Sequence, residues 1–225
     1  MSTLIIKNIG NEGPGTIEDY LKNNSKAYTI VYMKQERPPK GDEFDSLVVL
    51  GGPMSVNETD KYPFLIEEEA LLKDFIARGK RVLGICLGSQ MIAKVLGERV
   101  YKGTAPEIGW YDINVTEAAK NDVAFSRLIV PGTSALKVFH WHGETFDIPA
   151  GGKRLASSKL YPNQAFKYKD NVYAFQFHME VNKQMVMEWM STENVDLDGL
   201  KRQTDEIYDS YLKRAMDFYD EFFGK

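Results

Sequence analysis

Val82-Leu83-Gly84-Ile85-Cys86-Leu87-Gly88-Ser89-Gln90 is the stretch on which the fold turns. An apolar run of strand length, 81–85, passes directly into a helical pattern over 88–96 that Gly97 stops. Between them stands Cys86, the chain's single cysteine, bracketed by Gly84 and Gly88. This layout predicts a nucleophile elbow, a sharp strand-to-helix turn that lifts one side chain above the sheet edge. The glycines relieve crowding where neighbouring backbone must come close. The first amide N–H groups of the helix point at the sulfur, which favours the reactive thiolate. The competing reading is a core cysteine, because free cysteine is among the most buried side chains.

Outward from the elbow, short apolar runs alternate with helical patterns. Residues 4–7, 29–32 and 47–50 read as strands, the last ending at Gly51-Gly52-Pro53. Residues 63–78 read as a helix, with Leu65, Ala70, Leu71, Phe75 and Ile76 near helical spacing. Within it, Glu67-Glu68-Glu69 is expected to be a solvated face near the helix start, where carboxylates suit the macrodipole. The rhythm predicts an α/β fold with a mostly parallel central sheet flanked by helices on both faces. Ligands of such sheets bind beyond the carboxyl ends of the strands. Gly51-Gly52 and Cys86 both fall there.

From residue 98 to about 168 the helical periodicity fades, and β-type runs at 111–116, 135–141 and 165–168 predict a small antiparallel β segment. Residues 172–177 read as one more buried strand and 183–190 as a helix. The stretch 199–223 reads as an added C-terminal amphipathic helix carrying Leu200, Ile207, Tyr211, Leu212, Met216, Tyr219 and Phe223. That stripe is expected to face the core, a homodimer or partner contact being the alternative. With no repeat, low-complexity tract or linker, residues 1–225 are expected to form a single domain, core about 1–190 and extension about 192–225.

Composition narrows the function. Of 225 residues 43% are hydrophobic, ample for a core, and the formal charge of −4 argues against nucleic acid, whose phosphates need a basic face. No apolar run approaches the roughly 18 residues of a membrane span. The start, Met1 to Lys7, shows no signal-peptide pattern, and one cysteine cannot form an internal disulfide. The expectation is a cytoplasmic protein with no membrane or nucleic-acid partner.

A thiolate nucleophile needs a base, and the base an orienting acceptor. The chain has three histidines, His140, His142 and His178. His178 follows the last buried strand in Gln176-Phe177-His178-Met179-Glu180, where residues two apart share a side, so Glu180 can reach its ring. Elbow enzymes form an oxyanion hole from the N–H after the nucleophile and one from an earlier strand-end loop, here Leu87 and Gly52. His140-x-His142 is the only arrangement suggesting metal ligands; a third would have to come from His178 or a carboxylate, and no metal or other cofactor is expected.

Together, Gly51-Gly52-Pro53, Gly84 to Gln90 and Gln176 to Glu180 resemble the three signatures of class I (triad) glutamine amidotransferases, with the nearest likeness to stand-alone, GMP-synthase-like members. The resemblance runs from about residue 40 to 185. It implies Cys86 as nucleophile, His178 as base, Glu180 as orienter, and Gly52 and Leu87 as oxyanion donors. It also places Gln90, His142 and Gly143 in a glutamine pocket. Met179 stands where the family usually has proline, which implies a looser His–Glu turn. The implied reaction is hydrolysis of the L-glutamine side-chain amide through a Cys thioester, giving glutamate and ammonia. Lacking a nucleotide-binding signature, the chain would pass the nitrogen to a separate ATP-dependent synthetase. A self-sufficient hydrolase of γ-glutamyl compounds and a non-catalytic regulatory protein of the same fold are the alternatives.

Overall fold

The computed structural model describes residues 2–224. In its first strands neighbouring side chains leave by opposite faces, and both faces are buried. β1 (Ser2–Lys7) sends Ile5 one way and Leu4 and Ile6 the other; β3 (Ser46–Val49) divides Val48 from Leu47 and Val49. β4 (Arg81–Ile85) divides Leu83 and Ile85 from Val82. The period-two geometry of a strand thus splits each apolar run between two cores, which requires helices on both sides. α1 (Gly15–Asn23) and α6 (Leu197–Phe223) cover one face; α2 (Phe64–Ala77) and α3 (Leu87–Val95) cover the other.

Nine strands form one mixed sheet in the order β2-β1-β3-β4-β9-β8-β7-β5-β6. β2 (Ala27–Tyr32), β1, β3, β4 and β9 (Val172–Phe175) run parallel. β8 (Ala165–Tyr168), β7 (Gly152–Ser157), β5 (Val100–Val115) and β6 (Ala135–Phe146) continue the sheet antiparallel. The short α4 (Glu117–Lys120) follows β5, and α5 (Lys183–Met190) precedes α6.

The α/β architecture, the parallel core and the added helix follow the sequence pattern. The antiparallel part is larger than the short runs suggested: β5 begins at Val100 rather than near 111, because its outer half is solvent-facing and lacks an apolar alternation. β7 carries Lys153 and Arg154 and gave no apolar signal; α1 spans only nine residues. The aromatic stripe of α6 is inward. Tyr211, Tyr219 and Phe223 are buried, joined by Phe218 and Phe222, whereas Leu212 and Met216 are half-buried at its margin.

The acidic triplet of α2 needs correction. Glu67 is exposed and Glu69 pairs with Lys94 at 2.7 Å, but Glu68 is fully buried and both its oxygens lack a partner. Helical rotation puts residue 68 on the same side as Leu65, Leu71 and Leu72, so the core face includes it. Ala70, by the same rotation, is exposed.

Two stability measurements follow. Gly88 packs so tightly on β3 that an added Cβ would lie 2.1 Å from Val49 O. Gly88→Ala should cost about 1–3 kcal/mol or more in urea unfolding. Gly10→Ala, whose Cβ meets nothing within 4 Å, should stay within about 0.5 kcal/mol. Burial pushes the pKa of Glu68 up to about 8, so the fold favours its protonated form. Its destabilising effect is absent below the ordinary carboxyl range and grows as pH rises toward 8. Glu68→Gln should therefore stabilise the protein by about 2–4 kcal/mol at pH 8, and the gain should shrink toward pH 4.5.

Candidate active site

Strands β3, β4 and β9 are neighbours in the sheet and parallel, so their carboxyl ends open side by side. From these three ends come Gly52, Cys86 and His178, the residues expected to work together. Cys86 links β4 to α3 with φ 50° and ψ −107°, a backbone conformation that L-residues avoid. This is the strained elbow geometry. Both bracketing glycines are required: a Cβ on Gly84 would sit 2.5 Å from the Gly88 backbone, and Gly88 itself abuts Val49.

Around the sulfur, Trp141 O lies at 3.8 Å and Gln176 Nε2 donates at 3.7 Å. His178 is wholly buried and its Nδ1 donates to Glu180 Oε1 at 2.7 Å. Its Nε2 has no hydrogen-bond partner in the folded chain, and Cys86 lies beside it. Burial works against a charge on this ring. The Glu180 carboxylate and the neighbouring Cys86 outweigh it, holding the pKa of His178 well above the ordinary histidine range. The arrangement can therefore sustain an imidazolium beside the sulfur, as nucleophilic acyl transfer requires.

The His178–Glu180 turn is tight although Met179 replaces proline. Tyr211 Oη of α6 donates to His178 O at 2.9 Å, and Tyr219 Oη donates to Met179 O at 3.2 Å. Trp189 of α5 lays its ring against the imidazole, centroids 5.0 Å apart. The looser turn implied by the missing proline is not what the structure has; two hydroxyls supply the stiffness instead.

Gly52 and Leu87 stand against each other, since a Cβ on Gly52 would lie 3.1 Å from Leu87 Cδ2. Neither of their N–H groups donates to another described residue. Asn8 Nδ2 donates to Leu50 O at 3.1 Å and pins the start of the glycine loop. Two free amides thus flank the elbow, the requirement for binding an oxyanion.

The far edge strand closes the site. β6 returns to the sheet centre, where His178 N donates to Phe139 O at 2.8 Å. This brings Trp141, His142, Gly143 and Glu144 over a cavity of about 550 Å³ that Gly52, Cys86 and Gln90 also line. Gln90 Nε2 donates to Gln176 Oε1 at 3.2 Å, so Gln90, Gln176 and Cys86 form one chain of contacts. The sequence motif contains Gln176 but assigns it no role; only the structure aims its amide at the sulfur.

His142 is in the cavity wall, but both ring nitrogens are engaged. Nδ1 donates to Glu144 O at 3.0 Å, and Nε2 faces Glu107 Oε2 at 3.2 Å and His140 Nδ1 at 3.3 Å. The ring shapes the wall and leaves no nitrogen for a ligand. Glu107, His140 and His142 place three ligand-type atoms within 4.8 Å, the carboxylate being the third partner that sequence left unnamed. Gln164 Nε2 donates to the same Glu107 oxygen at 2.6 Å. Burial, helped by repulsion from His142, pushes the pKa of His140 down to about 3, so that ring is neutral. The cluster ties β5 to β6 behind the cavity.

The family model for glutamine amidotransferase class-I matches residues 12–192. A glutamine amidotransferase-like protein, YfeJ, of Salmonella typhimurium is 38% identical over 175 residues, 74% of this chain and 72% of that one. The glutamine-hydrolysing component of a two-part GMP synthase from Sulfolobus acidocaldarius is 38% identical over 143 residues, 62% of this chain and 69% of that one. A crystal structure of a glutamine amidotransferase from Thermotoga maritima superposes with a TM-score of 0.90 at 30% identity, covering 100% of this chain and 99% of that one. That likeness includes α6, which lies beyond the family match.

Tyr211→Phe leaves the buried carbonyl of His178 without its donor. It should cost about 1–2 kcal/mol in urea unfolding. It should also slow Cys86 alkylation by iodoacetamide at pH 7, because the imidazole beside the sulfur is less firmly held; an unchanged rate would show that α6 does not brace the site.

Proposed function

The chain belongs to the class I glutamine amidotransferase family, and on that footing we propose that it hydrolyses the side-chain amide of L-glutamine through a thioester on Cys86. The observation that carries this reading is the convergence of Cys86, His178 and Glu180 at three adjacent strand ends, with two unengaged amides beside the sulfur. The Cys86 sulfur attacks the amide carbon, and the developing oxyanion rests on the N–H groups of Gly52 and Leu87. The C–N bond then breaks as His178 passes its proton to the departing nitrogen. Glu180 keeps the ring oriented and stabilises its charged form. Water adds to the thioester, His178 takes its proton, and the thiolate leaves as glutamate forms. Gln90 and the backbone of Gly143 line the glutamine pocket, with His142 holding the wall.

The likeness to the GMP synthase component favours a nitrogen acceptor on a separate, ATP-dependent protein. Residues 1–225 act as one domain in this reading, in the cytoplasm, and no helix of the described residues is long and apolar enough to cross a membrane. The inward aromatic face of α6 leaves little of that helix for a partner, so docking falls to another surface.

A second reading, a γ-glutamyl hydrolase that needs no partner, is favoured by the roomy cavity, whose 550 Å³ falls in the range of about 300–1,000 Å³ typical of larger ligands. Purified protein assayed against glutamine and against γ-glutamyl dipeptides separates the two. Glutamine turnover without peptide cleavage is the expected outcome, and peptide cleavage with little glutaminase activity overturns it. Cys86→Ala should lower turnover by at least about 10³-fold. Failure of wild-type Cys86 to be labelled by a glutamine chloromethyl ketone would leave only a non-catalytic role.

A further inference from the structure

Glu12 is a carboxyl that the reaction above does not use. It stands between β1 and α1, 6% exposed, on the wall of the cavity that holds Cys86. A Cβ built on Gly51 would lie 2.4 Å from Glu12 Oε2, 3.1 Å from His178 Cε1 and 3.6 Å from Cys86 Cβ. The bare Cα of Gly51 is thus what lets the carboxyl approach the sulfur and the imidazole. Its loop is pinned on both sides: Trp189 Nε1 donates to Asn11 O at 3.0 Å, and Thr16 N donates to Glu180 O at 2.8 Å.

The cavity presents three other carboxylates, Glu58, Glu144 and Glu193, and no lysine or arginine. Each of those three is answered within the chain. Ser55 N donates to Glu58, Ser55 Oγ to Glu144, and Trp141 Nε1 to Glu193. Glu12 alone has no donor or cation on its oxygens among the described residues. A buried carboxyl without a donor is costly, so its complement is a ligand group rich in N–H or positively charged.

Position says which group. The α-ammonium of a bound glutamine lies four bonds from the reacting carbon, whereas Glu12 lies beside the sulfur and the proton-donating ring. We propose that Glu12 forms a subsite for the departing nitrogen, taking it as an ammonium, either free ammonia or a primary amine released from a γ-glutamyl amide. The inference rests on Cys86 acting as nucleophile. When the C–N bond breaks, His178 gives its proton to nitrogen and a neutral amine leaves. The Glu12 carboxyl then transfers its O–H proton to that amine, leaving a carboxylate paired with an ammonium. As the ammonium departs, the carboxyl is restored by the proton that the newly formed γ-carboxylic acid of glutamate gives up; no electrons are exchanged. Burial raises the pKa of Glu12 to about 7, against the pull of His178, so both of its forms are available at neutral pH.

The test compares wild type with Glu12→Gln, an isosteric change, using two substrates. Glutamine releases nitrogen; a glutamine chloromethyl ketone seats the same frame and alkylates Cys86 with release of chloride. Glu12→Gln should lower kcat for glutamine about 10²-fold and remove an ionisation near pH 7 from its pH profile. Alkylation of Cys86 should stay within about threefold of wild type, which also shows that the variant folds. Unchanged kcat overturns the subsite, as does a fall in alkylation matching the fall in turnover, which would place Glu12 at the amino-acid end or in mere packing. If wild type neither alkylates nor turns over, the glutaminase reading itself fails.

Discussion

The backbone of Cys86 is held where an L-residue does not go by choice, and the rest of the site is arranged around that constraint. A φ of 50° with ψ −107° costs on the order of 1–3 kcal/mol and persists only when its surroundings over-determine it. They do so by contact. β4 and α3 close on each other through Gly84 and Gly88, and α3 closes on β3 through Gly88 and Val49. Relaxing the elbow would mean parting a helix from two central strands.

The same compression explains why a nine-stranded sheet yields one reactive spot. Adjacent parallel strands deliver the glycine loop, the thiol and the imidazole from one edge, and the antiparallel half curls round until β6 bonds to the residue that carries the imidazole. Acid groups then dominate the cavity without a lysine or arginine to balance them. Such a wall disfavours an anionic group and welcomes cationic or N–H-rich ones, while backbone amides remain the only donors for a carboxylate or an oxyanion.

Much of this was legible in the chain. The glycine spacing around Cys86 and the two-residue step from His178 to Glu180 encode local geometry, and local geometry is what sequence pattern records. The strand runs at 47–50 and 81–85 were readable because both faces are buried and the apolar signal is continuous. Glu12 was not legible. It becomes part of the site only because Gly51, 39 positions later, lacks a side chain. Glu107 was missed because its partner His142 sits across a strand pair, and Glu68 because three consecutive acids imitate a solvated face. Tyr211 and Tyr219 were seen as apolar stripe; their hydroxyls, and not their rings, touch the site.

That last contact has a consequence for the order in which the protein is made. The thiol, the imidazole and the carboxylate have all left the ribosome before residues 211 and 219, which steady the turn between the latter two. At about 5–20 residues per second the interval is a matter of seconds, but throughout it the nascent chain carries a complete set of reacting groups on an unbraced turn. Reactivity is thereby tied to the arrival of the final helix, and a ribosome stalled in α6 displays a protein with its chemistry still slack.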